Sequence, residues 1–210
     1  MVRFFTLFEP TGRFMSKETR DQKKEIILAS ALSVMTKKGY YNSTMDDIVK
    51  ESDMSKGAIY HYFSSKKEVY LGVIDYWEEK YTDIMAKEIN KQKTAMQSLK
   101  ILFKTFGVQM QKDPTPYECL PIFWSISRND KEFKKAMQKV YNRFQKAIEL
   151  IIETGIKNKE FKRVDPKTAA LALILNIEGI FWFTLYKSNA GDASVYMDTI
   201  SDYILNLYKA

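Results

Sequence analysis

The sequence predicts an all-α fold, an N-terminal three-helix bundle with a helix-turn-helix joined to a larger C-terminal helical domain. Three observations carry this. Apolar residues recur at helical spacing along nearly the whole chain, and no segment sustains the alternation of a strand. Proline and glycine are scarce, five and eight in 210 residues. Serine, threonine or aspartate stands before several of the periodic stretches, where helix N-caps belong.

The elements follow in order. A first helix is expected from about residue 17 to 38. Ile27, Ala31, Val34 and Met35 fall at i, i+4, i+7 and i+8 and make one apolar stripe. Lys37 and Lys38 sit in its last turn, and Gly39 stops it. Ser43 or Thr44 caps a short second helix, with Asp46 and Asp47 favourably placed in its first turn and Met45, Ile48 and Val49 as its apolar positions. A turn follows at Ser52-Asp53-Met54, and Ser55 caps a third helix reaching about Phe63. Ser65-Lys66-Lys67-Glu68 matches a capping box and opens a long helix to about residue 89. The next helix is expected over about 94–111. Residues 113–116 are expected as loop, because proline disfavours helix in the residue before it. Further helices are expected over about 117–127, 131–158, 166–187 and 193–208. Asp165 caps the one that has Pro166 at its first position. Three domains result: a disordered tail over 1–16, the helix-turn-helix over 17–64 and the C-terminal domain over 65–210. No repeat, low-complexity tract or flexible linker interrupts them.

Composition narrows the classes. Hydrophobic residues are 45% and charged residues 28%, a globular balance rather than a disordered one. The single Cys119 excludes an intrachain disulfide framework and suits a reducing cytoplasm. No uninterrupted apolar run approaches the ~20 residues of a membrane helix. Arg3 and the following phenylalanines loosely suggest a secretory signal, but Glu9-Pro10 cuts the apolar stretch short. The net charge of +7 permits a polyanionic partner. It is not concentrated: residues 1–70 hold twelve Lys+Arg against nine Asp+Glu, and the rest hold twenty-one against seventeen.

The helix-turn-helix carries the functional signal. Met54 plugs the small core from the turn. Asp53 stands where glycine is commonest, and aspartate tolerates a left-handed backbone. Ile48, Ile59 and Tyr62 or Phe63 close the inner face, leaving Lys56, Gly57, Ala58, Tyr60 and His61 outward. Gly57 and Ala58 are small enough for close approach to a groove. Lys56 suits a guanine edge or a phosphate, and Tyr60 and His61 suit phosphate oxygens or bases. Free N–H groups at the helix starts near Thr44, Ser55 and Ser65 also favour phosphate.

Thr44-Met45-Asp46-Asp47-Ile48-Val49, then Met54 through Phe63, then Lys66-Lys67-Glu68, closely resembles the signature of TetR-type bacterial transcriptional regulators. The resemblance is strong over about residues 20–75. Beyond them it rests on length and helical character. Ser52-Asp53 departs from the family's usual Ala-Gly. The resemblance implies that Thr44 and Ser55 cap helices and touch phosphate. It implies that Lys56, Gly57 and Ala58 face base edges, that Tyr60 and His61 contact backbone or bases, that Tyr62 contacts the backbone, and that Lys66 holds a phosphate. It also implies a homodimer, bound to a palindromic double-stranded operator and released by a small molecule.

The C-terminal domain offers residues for both remaining tasks. Nineteen of the twenty-nine aromatics follow residue 70. Phe103, Phe106, Met110, Phe123, Trp124, Phe181 and Trp182, with Phe183 beside them, are candidates to line a pocket for an apolar, aromatic or cationic effector. Each is also a candidate core residue. Ala169, Ala170, Ala172 and Gly179, with Ile200, Tyr203, Ile204 and Leu207, suit a four-helix dimer interface. Cys119 reads as an inert buried thiol, and Lys131, Lys134, Lys135 and Lys139 as a solvated face. His61 is the sole histidine, so a multi-histidine metal site is excluded, and no cofactor is expected. An enzyme is not expected either: no nucleophile with an orienting histidine, glycine-rich phosphate loop or metal-ligand cluster occurs. Two alternatives keep the fold: a DNA-binding protein without small-molecule sensing, and an activator instead of a repressor.

Overall fold

The computed structural model describes residues 18–186 and 193–210. The expected tail over 1–16, Lys17 and Lys187 lie outside the described residues. Within them the chain is helical: α1 Glu18–Asn42, α2 Met45–Ser52, α3 Lys56–Tyr62, α4 Lys66–Ile89, α5 Ala95–Lys112, α6 Thr115–Ser127, α7 Lys131–Lys157, α8 Pro166–Tyr186 and α9 Ala193–Tyr208. Among the described residues the nearest approach to a strand is an isolated bridge between Phe161 and Lys209. The all-α expectation and the order of elements are therefore met.

The chain divides into two compact units. One gathers residues 18–81 and 115–139, the other residues 82–114 and 140–210 without 187–192. This grouping differs from a division at residue 64, because residues 66–81 of α4, all of α6 and the start of α7 go with the first unit.

The first unit has its own core. The expected stripe of α1 is buried at Ile27, Ala31, Val34 and Met35, together with Leu28 and Leu32. Ile48, Ile59 and Phe63 meet it from α2, α3 and the residue after α3. Val69, Tyr70, Val73 and Ile74 come from α4, and Tyr117, Phe123 and Ile126 from α6. Cys119 is fully buried there, with its thiol near the Leu32 carbonyl. Phe123 stacks on Phe133 at 6.3 Å between ring centroids, which makes it a core side chain of this unit.

Gly39 does end the regular part of α1. Its φ of 71° and ψ of 175° break the helical path, and a last turn of Tyr40–Asn42 follows. A side chain at that φ is strained, so glycine is the residue the kink requires. Residues 115 and 116, expected as loop, begin α6 instead. The physical reason is position: N–H groups in the first turn have no helical acceptor, so Pro116 removes no bond there.

The second unit packs α9 against α5 and α8. Gly107 marks the closest approach: a Cβ there lies 2.8 Å from the Ser194 Cα, so α5 meets the α9 backbone only because that side chain is missing. Phe103, Met110, Ile148, Ile151, Ile152, Leu173, Ile177 and Met197 are buried inside. The helix Pro166–Thr184 is long and apolar enough to cross a bilayer by composition, although Lys167 and Glu178 interrupt any continuous run. Its apolarity has a simpler source, since one side faces the unit's core while Leu171, Leu175 and Phe183 are exposed on another.

Candidate nucleic-acid interface

Local chemistry fixes the α2–turn–α3 geometry. Of the two candidate caps for α2, Thr44 is the one used. Its hydroxyl accepts from the Asp47 N–H at 3.1 Å, and the Asp47 carboxylate accepts from the Thr44 N–H at 2.9 Å. This reciprocal pair satisfies two donors that the helix start leaves open. Asp47 also takes the Lys38 ammonium at 2.6 Å, and this bond with those from Thr44 holds its carboxyl below the ordinary carboxylate range. The Glu51 carboxylate, held low by the same kind of contact, receives Lys37 at 2.7 Å and the Ser33 hydroxyl at 2.7 Å. Two lysines of α1 thus clamp α2 at both ends.

Asp53 turns the chain with φ 53° and ψ 28°, the left-handed conformation expected of it. Met54 is half-buried beneath the turn. Ser55 then caps α3, its hydroxyl accepting from the Ala58 N–H at 3.2 Å. Ile59 and Phe63 point inward. Lys56, Gly57, Tyr60 and His61 are exposed, while Ala58 and Tyr62 are half-buried. The rings of His61 and Tyr62 meet edge to face at 5.4 Å. Thr44 and Ser55 are exposed at the two helix starts. The candidate residues from Thr44 to Tyr62 therefore sit on one short motif with small and polar groups outward.

Two features were not legible in the sequence. The first is an ion pair: Lys56 Nζ lies 2.8 Å from Asp46 Oδ1, and both side chains are well exposed, 61% and 71%. The second concerns Lys66. Its ammonium donates to the carbonyls of Tyr40 and Ser43, both at 2.7 Å, and lies 4.6 Å from the centre of the Tyr40 ring. Burial lowers its pKa. Around it the Tyr70 hydroxyl donates to Ser43 Oγ at 2.9 Å, and Ser43 Oγ donates to the Tyr40 carbonyl at 2.8 Å. Burial pushes the Tyr70 phenol up to about 12.

In the chain without DNA, Lys66 is engaged within the fold. Its ammonium is turned inward. The carbonyls after the Gly39 kink lack helical donors, and Lys66 supplies them. The capping box at Ser65 is also modified: Ser65 Oγ accepts from the Glu68 N–H at 3.2 Å, but the Glu68 carboxylate reaches one residue further back, to the N–H and hydroxyl of Ser64. Lys67 joins α4 to the start of α7 through Asp130 and Glu132, at 2.8 and 2.7 Å. Lys66→Ala should lower the stability of the chain by about 1–3 kcal/mol, since two carbonyls lose a charged donor. Urea denaturation measures this. The salt dependence of DNA binding should be unchanged. A log–log slope smaller by about 0.9 would return Lys66 to a phosphate contact.

The candidate effector residues fall in different units. Phe103, Phe106, Met110 and Phe181 are buried in the second and Trp182 is half-buried there, whereas Phe123 and Trp124 belong to the first, Trp124 being 40% exposed. Phe106 meets Phe144 and Phe181 edge to face at 5.4 and 5.7 Å. Sequence reasoning missed Glu178 in α8. It accepts a hydrogen bond from Tyr141, yet burial raises its carboxyl pKa.

The candidate dimer residues divide by exposure. Gly179, Tyr203 and Leu207 are exposed, and Ala172, Ile200 and Ile204 are half-buried. Ala169 and Ala170 are buried in the unit's own core instead. A surface groove of ≈ 350 Å³ runs between α8 and α9, lined by Leu175, Asn176, Gly179, Ile180, Phe183, Tyr196 and Ile200. No group of three or more potential metal-ligating residues occurs among the described residues.

Comparison with known proteins agrees with this geometry. Residues 27–73 match the model of bacterial regulatory proteins, tetR family. The chain is 28% identical to the uncharacterized HTH-type transcriptional regulator YfiR of Bacillus subtilis, over 93% of this chain and 97% of that one. It is 25% identical to the HTH-type negative transcriptional regulator IcaR of the Staphylococcus aureus biofilm operon, over 67% and 86%. Its fold is that of a transcriptional regulator from Saccharomonospora viridis solved in complex with choline, with a TM-score of 0.78 at 21% identity over 90% of this chain and 99% of that one.

Proposed function

We propose that the chain is a TetR-type transcriptional regulator, a cytoplasmic repressor that binds a palindromic operator as a homodimer and is released by a small, mostly apolar ligand. The observation that supports DNA reading most is the α2–turn–α3 motif, with Lys56, Gly57, Tyr60 and His61 exposed on α3 and two capped helix starts beside them. In this reading Lys56, Gly57 and Ala58 face base edges. Thr44, Ser55, Tyr60, His61 and Tyr62 hold the phosphate backbone and bases. Repression is supported by the negative regulator among its relatives.

The ligand is assigned to the second unit. Phe103, Phe106, Met110, Phe181 and Trp182 all belong to that unit, Phe106 and Phe181 meet edge to face, and Glu178 on α8 is a partly buried acidic group of the same unit. A ligand held among them acts only through its differential affinity for two states of the dimer, ~1–3 kcal/mol in typical cases. The helix α4 runs without interruption from the DNA-reading motif into the second unit and is the element through which such a shift passes.

Selection of bound duplexes from a random pool tests the reading. The selected sites should be inverted repeats with half-sites about one helical turn apart, ~34–36 Å. Sites without dyad symmetry would remove the homodimeric operator model.

A further inference from the structure

We propose that Asp46 and Lys56 act as one unit that reads a single G·C base pair in each half-site, an inference that rests on the DNA-binding reading above. The two side chains come from different helices and join at 2.8 Å with both ends open to solvent. Lys56 stands at the first position of α3 and Asp46 in the first turn of α2. Together they present an ammonium donor and a carboxylate acceptor side by side, at the start of the helix assigned to the groove.

The edge of a G·C pair is the complement of that arrangement. Across the major groove it offers two acceptors on guanine, N7 and O6, then one donor on cytosine, the N4 amino group. O6 and N4 are themselves hydrogen-bonded, at the ~2.9 Å spacing usual for N–H···O. That spacing matches the Asp46–Lys56 pair. The Lys56 ammonium, with three donors, covers N7 and O6 while keeping its bond to Asp46. The Asp46 carboxylate accepts from N4, and beyond N4 lies only a C–H.

An A·T pair does not fit. Its order is acceptor, donor, acceptor, followed by the thymine methyl. A carboxylate on the adenine amino group then has an acceptor on each side, and one of them is left facing negative charge. The pair also explains how an exposed carboxylate is tolerated beside a polyanion. Alone it would be repelled; bonded to Lys56 and to an amino group it is compensated on both sides.

The test is selection from the random pool with the wild-type chain, Asp46→Ala and Lys56→Ala. Both side chains are exposed, so both variants should melt close to the wild type. The wild-type sites should carry a G·C pair at one symmetric position of each half-site. Each variant should relax preference at that same base pair, by about tenfold or more, the usual scale for one specific contact. Three results overturn the inference: Asp46→Ala binds all sequences more tightly without altered preference, the two variants relax different base pairs, or the relaxed pair is not G·C. A wild-type chain that selects no DNA overturns the DNA-binding reading itself, and this inference with it.

Discussion

Leu175→Asp should leave the chain folded but monomeric, and its affinity for the selected operator should fall by about 10²- to 10⁴-fold. Leu175 is 56% exposed, so an aspartate there meets water in the isolated chain and costs little folding energy. The face around it is apolar over two helices. Leu171 and Phe183 are exposed on α8, and Val195, Tyr203 and Leu207 on α9. An apolar face of this kind marks an association surface. In a symmetric dimer each Leu175 falls in the same patch as its symmetry mate's surroundings, so one substitution places a charge on both sides of the contact. Without the dimer each recognition helix binds its half-site alone, and the gain from joining two half-sites is lost. Sedimentation and binding isotherms on one sample read both effects. A variant that remains dimeric with unchanged affinity would show that this face does not hold the partner.

The fold was largely legible because helical periodicity and caps are local. The stripe of α1, the stop at Gly39, the caps at Thr44, Ser55 and Asp165 and the left-handed Asp53 each depend on a few neighbouring residues. Thr115 and Pro116 depart from the expected loop because Pro116 stands in the first turn of α6, where a proline removes no helical hydrogen bond.

The site was half legible. The outward face of α3 follows from helical spacing alone, so Lys56, Gly57, Tyr60 and His61 were found. What Lys56 and Lys66 bond to depends on distant segments, Asp46 from another helix and carbonyls 23 and 26 residues away, and no spacing rule reaches that far. The aromatic candidates are spread over both units for a related reason. Side-chain type marks Phe103, Phe106, Phe123 and Phe181 alike, but only tertiary packing assigns Phe123 to the first unit and the others to the second. The sequence offers α8 both a dimer interface, through Ala172 and Gly179, and pocket or core residues, through Phe181 and Trp182, without sorting its other apolar positions. The structure divides them between core residues such as Leu173 and exposed ones such as Leu175.

Gly57→Leu tests most directly whether α3 is the DNA-reading helix. A Cβ at Gly57 meets nothing within 4 Å, so the free chain accommodates a side chain there. Leucine is the better helix former by roughly 0.5–1 kcal/mol, and stability should hold or rise. In a groove the same side chain occupies the space that lets the helix backbone approach the bases, and affinity for the selected operator should fall by about a hundredfold or more, ~2.8 kcal/mol. Thermal melting and a binding isotherm on the same preparation give the two numbers. The expected result is an unchanged or higher Tm with DNA binding lost. A Gly57→Leu chain that binds the operator as tightly as the wild type would contradict the assignment of α3 to the groove.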